Sequence, residues 1–156
     1  MSDGVRAVVS VGACLLAGML GSLFTRSSVE TWYAGLAKPA FTPPAWLFGP
    51  VWTLLYVLMG VAAFLVWRKG VADPRVVRAL MVFGVQLALN ALWSPAFFGL
   101  RSCVAGLVVI VPLWGAIVLT IVLFAPLSGA AALLLAPYLA WVSFATVLNV
   151  ALVLKN

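Results

Sequence analysis

Residues 27–56 read SSVETWYAGLAKPAFTPPAWLFGPVWTLLY, a stretch that starts as a polar loop and ends inside a helix too apolar to be anything but a membrane span. It holds four of the nine prolines and three of the seven tryptophans of the chain. A plain linker needs no such stiffness, because proline fixes the backbone and an indole is a large rigid surface. The stretch therefore reads as a structured lid, over a pocket that the surrounding spans form for a flat hydrophobic ligand.

Outward from this lid, the composition sets the class. The chain is 66% hydrophobic and 8% charged, with nine basic and three acidic side chains, too few charges to cover a soluble domain. Its apolar runs are near or above the roughly 18 to 20 residues that cross a bilayer as helix, and none shows the alternation of a barrel strand. The expectation is an all-α membrane protein, a single domain of five transmembrane helices at about 5–25, 45–68, 76–99, 102–124 and 129–154, with a structured first loop at 26–44.

The net charge of +6 belongs, in such a chain, to the headgroup zones of a lipid bilayer rather than to a nucleic-acid surface. Arg6, Arg68, Lys69, Arg75 and Arg78 fall on the side of the N-terminus, and Arg26, Lys38, Arg101 and Lys155 on the other. Four of the first group crowd one short connection, which favours an N-terminus inside. Cys14 and Cys103 sit at opposite depths, too far apart for a disulfide. The first apolar run exceeds the roughly 7 to 15 residues of a signal-peptide core and lacks a small-x-small cleavage site, so a retained span is expected.

Within span one, Ser10, Cys14, Gly18 and Ser22 recur every four residues, a strip that lets another helix approach, within the chain or in a dimer. Ser27-x-x-Glu30 reads as a capping box that opens a short helix with Trp32, Tyr33 and Leu36 on its apolar face, ended at Lys38-Pro39. Pro43-Pro44 enforces an extended stretch. Taken singly, Trp32, Tyr33 and Trp46 read first as an interfacial aromatic belt and only then as parts of the lid. Span two places Trp52, Tyr56 and Met59 on one stripe, and Gly70 with Asp73-Pro74 makes the turn to span three. Span three carries the most polar cluster, Gln86, Asn90 and Ser94, with Trp93 beside it and Phe97-Phe98-Gly99 after it. Gln86 and Asn90 share a face, where their amides serve either as glue between helices or as ligand contacts. Span four reads as wall. In span five Tyr138, Trp141, Ala145 and Asn149 form one face, with Pro137 interrupting the helix just before it.

The chain has no histidine, and its only acids, Asp3, Glu30 and Asp73, lie outside the spans. Hydrolytic acid–base chemistry, zinc or di-metal sites and a proton relay therefore have no residues to run on, and no metal site is expected. No nucleotide-binding signature occurs. Indole, phenol, amide and hydroxyl groups remain on the inner faces of spans two, three and five, a set suited to a conjugated or steroid-like molecule.

Three segments together resemble the TspO/MBR family of tryptophan-rich sensory and translocator proteins. They are WYAGLAKP from Trp32 to Pro39, with Pro43-Pro44 and PVWTLLY from Pro50; QLALNALWSPAFFG from Gln86; and PYLAWVSFATVLN from Pro137. The resemblance implies a five-helix bundle, commonly a homodimer, whose pocket below the first loop binds porphyrins, without a covalent cofactor. It implies a receptor-like protein that regulates or scavenges tetrapyrroles, the alternatives being a slow light-dependent porphyrin-degrading enzyme or a facilitator of lipophile transport. By similarity, Trp52 and Trp141 match pocket tryptophans linked to light-dependent breakdown of protoporphyrin IX, and Tyr33, Gln86, Asn90 and Ala145 match positions lining or supporting the pocket. Together with the inner faces, the expected ligand set is Tyr33, Trp52, Tyr56, Gln86, Asn90, Trp93, Phe97, Tyr138, Trp141 and Ala145, under a lid carrying Trp32, Lys38, Pro39, Pro43 and Pro44. Gly84-x-x-x-Ala88 on span three is the candidate dimer face by that resemblance, and equally reads as a packing face within the monomer. The sterol-recognition segment of animal members is incomplete here, with Val150 for its tyrosine and Leu154 at its basic position, which speaks against high-affinity cholesterol binding and suggests a bacterial-type member in a bacterial membrane.

Overall fold

The computed structural model describes all 156 residues, and its regular elements are all helices. The helices are α1 (Asp3–Ser28), α2 (Phe48–Trp67), α3 (Pro74–Ser94), α4 (Cys103–Phe124), α5 (Gly129–Leu134) and α6 (Ala136–Lys155). Five segments are long and apolar enough to cross a bilayer: α1, Ala45–Trp67, Pro74–Gly99, α4 and Gly129–Lys155. The protein is thus a multi-pass integral membrane protein.

Local chemistry explains where helices begin. Ser2, Asp73, Ser102 and Ser128 each accept a hydrogen bond from a backbone N–H two or three residues on, satisfying one of the free donors of a first turn. Asp73 is followed by Pro74, whose missing N–H costs nothing at that position. Gly70 makes the preceding turn at φ 102°, a backbone conformation that glycine adopts freely. After α3 the helix widens into a π-type turn, Pro95–Gly99, and Arg101 at φ 50° reverses the chain.

One expectation needs correction. The Ser27-x-x-Glu30 box does not start a helix: α1 runs on through Ser28, the Ser27 hydroxyl donates to Phe24 O at 2.8 Å, and only a single 3-10 turn, Tyr33–Gly35, follows. The cause is tertiary. The Ser28 hydroxyl donates to Phe98 O (2.8 Å) and the Thr25 hydroxyl meets that of Ser94 (2.8 Å), so the last turn of α1 is bonded to the end of α3. The fifth span is parted at Leu135 into two helices, the interruption expected at Pro137, which supplies no N–H to continue the ladder.

α1 and α2 pack closest. A Cβ on Gly18 would fall within the Tyr56 ring, and one on Gly60 would meet Val11 Cα at 2.5 Å. With Ser10 and Cys14 buried, the small-residue strip of α1 therefore serves packing inside the chain. Gly84 and Ala88 of α3, by contrast, are exposed and no helix of this chain covers them. Both cysteines are free and buried.

Candidate ligand-binding site

The end of the bundle under the first loop is hollow. Its cavity measures about 440 Å³ and is walled by the C-terminal half of α1, the N-terminal half of α2, the end of α3, the middle of α4 and most of α6. That size is ordinary for a small-molecule site. Trp52, Tyr56, Trp93, Phe97 and Trp141 supply most of the aromatic wall, Asn90 and Ala145 part of the remainder, and Tyr33 reaches in from the loop.

The wall is ordered ring against ring. Trp52 lies 5.6 Å from Tyr56, Trp93 stacks on Phe97 at 4.9 Å with 19° between the planes, and Phe48 meets the Trp141 ring edge-on at 5.8 Å. Asn149 fixes the α3 and α4 sides of the cavity together. Its carbonyl accepts from Trp93 Nε1 (3.3 Å) and its amide donates to Cys103 O (2.8 Å). Gly106 makes this approach possible, since a Cβ there would meet Phe97 at 2.5 Å and Asn149 Oδ1 at 2.9 Å.

A chain of hydrogen bonds forms the floor. Tyr56 Oη donates to Asn90 Oδ1 (2.6 Å), Asn90 Nδ2 donates to Tyr138 Oη (2.7 Å), and Tyr138 Oη donates to Gln86 Oε1 (2.7 Å). This knot joins α2, α3 and α6 where the hydrocarbon offers no water. It also separates residues that the sequence groups together. Asn90 and Tyr56 face the cavity, whereas Gln86 and Tyr138, 1% and 0% exposed, sit behind its wall as interhelical glue.

Two donors inside remain free. Tyr33 Oη and Trp141 Nε1 are buried without a hydrogen-bond partner. Burial pushes the Tyr33 phenol above its ordinary range, with nearby Cys103 adding to the effect, so it stays a neutral donor through physiological pH. A buried unpaired N–H or O–H is costly, and a ligand acceptor removes that cost.

None of the expected lid residues Trp32, Lys38, Pro39, Pro43 and Pro44 borders the cavity, although Tyr33 of the same loop does. Trp32 packs edge-on against Phe97 (5.3 Å) and Phe98 (6.5 Å), and Lys38 Nζ donates to Ala34 O and Leu36 O, both at 3.2 Å, above the Tyr33 ring. Trp32 and Lys38 hold the loop's shape; Pro39, Pro43 and Pro44 lie away from the cavity, and Pro44 keeps an extended backbone. Asn156 ties the loop to the end of α6, accepting from Ala37 N (3.1 Å) and donating to Ala37 O (2.9 Å). Trp46, 72% exposed, has the position of a belt residue. Sequence reasoning missed the α1 wall, including Gly18, Gly21 and Arg26, as well as Phe48 and the α4 residues Ile110 and Leu113.

Residues 10–154 match the family model described as TspO/MBR family. The chain belongs to the TspO/MBR family. It is 51% identical over 152 residues to the tryptophan-rich protein TspO of Archaeoglobus fulgidus, covering 97% of each chain. Similarity to the tryptophan-rich protein TspO of Chlorobaculum tepidum is 47% over 146 residues, 94% of this chain and 92% of the relative. The Homo sapiens translocator protein is 44% identical over 131 residues, 83% of this chain and 78% of its own.

Proposed function

We propose that this TspO/MBR protein is a receptor-like membrane protein that binds porphyrin, protoporphyrin IX above all, and thereby regulates or scavenges tetrapyrroles. One observation carries the reading: an aromatic-walled cavity of about 440 Å³ holds two buried donors, Tyr33 Oη and Trp141 Nε1, that nothing in the protein satisfies. A flat conjugated ring with hydrogen-bond acceptors suits those walls and those donors. Protoporphyrin IX added in the dark to protein in nanodiscs should quench tryptophan fluorescence saturably, more weakly in Trp52→Phe and Trp141→Phe. Absence of saturable quenching would remove the tetrapyrrole reading and leave the fold untouched.

The position of Trp52 and Trp141 on one cavity favours a second reading, slow light-dependent oxidative breakdown of the bound ring, with dioxygen as the oxidant, the ring as the source of the electrons and the indoles as relays that lend an electron to the excited ring and recover it from the ring's oxidation. The double variant Trp52→Phe, Trp141→Phe should then keep measurable affinity but lose product under illumination. Equal product from the double variant would rule out that role.

A further inference from the structure

The cavity has an edge that its aromatic walls do not explain. α1 and α2 touch where Gly18 meets Tyr56 and Val11 meets Gly60, whereas nearer the loop a Cβ on Gly49 of α2 would meet nothing within 4 Å. The cavity is bordered there by Met19, Ser22 and Arg26 of α1 and by Gly49 and Thr53 of α2, all exposed. It therefore opens sideways, between two helices, at the headgroup end of the spans.

Arg26 is the one charged side chain among the 28 residues that line the cavity, and no carboxylate is among them. Its guanidinium is also free. The ion pairs of the protein are Arg6 with Asp3 and Arg75 with Asp73, so Glu30, one turn further along, does not hold it. A guanidinium offers five N–H donors in a planar fork that fits a carboxylate with two parallel bonds. Inside the same cavity Tyr33 Oη and Trp141 Nε1 are donors without acceptors. Lip and interior thus present surplus donors and positive charge, while a cationic ligand would find no counter-charge on any wall.

We infer that Arg26 determines specificity: the occupant is an amphipathic acid whose flat apolar body fills the cavity, whose acceptors take the Tyr33 and Trp141 donors, and whose carboxylate leaves through the α1–α2 opening to pair with Arg26. This deepens the porphyrin reading and rests on it, since it states which feature of a tetrapyrrole the protein recognises. The lip is at headgroup level, where a lipid phosphate competes for the same guanidinium, so the bilayer in the test carries no net charge.

The test compares protoporphyrin IX with its dimethyl ester, the same ring with both carboxylates masked, by tryptophan quenching in phosphatidylcholine nanodiscs in the dark. Wild type should bind the acid about tenfold more tightly than the ester, as a charge-assisted pair at a partly wet site allows. Arg26→Gln should bind the ester as wild type does and lose the preference for the acid. Arg101→Gln removes a charge on the same membrane side but outside this cavity, and should keep the preference. Added salt should shrink the preference in wild type alone among the Arg26 pair. Saturable binding of acid and ester with equal affinity by wild type would overturn the inference and leave the tetrapyrrole reading in place. So would a preference that survives Arg26→Gln, or one that Arg101→Gln abolishes equally. Failure of both compounds to bind wild type would overturn the tetrapyrrole reading and the inference together.

Discussion

The two ends of this bundle are built from the same kinds of residue and differ in one respect: one end is full and the other hollow. At the full end Met59, Ala62, Val66, Val76, Ala79, Ile117 and Phe124 have no exposed surface at all, and Gly60 lets α1 and α2 come to backbone contact. At the hollow end tryptophan, tyrosine and phenylalanine stand around about 440 Å³, with two polar hydrogens unpaired. The boundary is the knot of Tyr56, Asn90, Tyr138 and Gln86, in which each phenol donates to an amide carbonyl. In lipid, where apolar surface alone does not drive helices together, close packing and paired polar groups give stability. The hollow end forgoes part of each, with an open volume inside and two donors unpaired, which is the signature of a site shaped for something other than the chain itself.

The largest effect should come from breaking the full end. Gly60→Ala places a methyl 2.5 Å from Val11 Cα and 2.9 Å from Val11 N, backbone atoms that cannot rotate away. The helices must separate, at a cost of about 1–3 kcal/mol typical of overpacking. The thermal midpoint in detergent should drop by several degrees, and an unchanged midpoint would show that the α1–α2 contact is looser than described. The boundary comes next. Tyr138→Phe removes two hydrogen bonds at once, leaving an Asn90 N–H and the Gln86 carbonyl unpaired, for about 1–2 kcal/mol in total at the strength such bonds have between transmembrane helices. Because Tyr138 lies behind the cavity wall, porphyrin affinity should fall far less than stability; the reverse order would make Tyr138 a ligand contact after all.

Substitution at the hollow end should invert that pattern. Tyr33→Phe deletes a buried hydroxyl that has no partner, so the thermal midpoint should hold or rise slightly. Porphyrin affinity, read from quenching, should weaken about three- to tenfold, the worth of one hydrogen bond. A loss of stability without a loss of affinity would show that the hydroxyl serves the fold rather than the ligand.

These contrasts also mark what could be read from the sequence. The five spans were legible because continuous apolar runs of this length have one stable form in lipid, and the pocket aromatics because they repeat at helical spacing on three spans. The fate of Ser27 and Glu30 was not legible. Local chemistry favours a new helix there, and it is overruled by bonds from Ser28 to Phe98 O and from Thr25 to Ser94, about 70 residues away in sequence. Nor could Gln86 be told from Asn90. Both lie on one face, and the difference between wall and glue depends on depth relative to Tyr138, a residue of another helix. Arg26 read as one headgroup charge among several, since only the folded bundle sets it among the residues that line the cavity.

The smallest effect sharpens the comparison from the far side of the full end, at the turn that joins α2 to α3. Asp73 accepts from Arg75 N at 2.9 Å and pairs with the Arg75 guanidinium at 2.9 Å, and these bonds hold its carboxyl below the usual carboxylate range. A folded-state pKa lowered in this way means that its stabilisation is present above the ordinary carboxylate value and is lost as pH falls through the folded one. Since the pair is exposed, water and salt screen most of it. Asp73→Ala should therefore lower the thermal midpoint slightly at neutral pH, and the difference from wild type should narrow in acid to what the cap alone contributes. Asp73→Asn, which keeps the cap but not the charge, should fall between them. If Asp73→Ala matches Gly60→Ala in size, the full end is held by its turn, and helix contact is not what separates the two ends of the bundle.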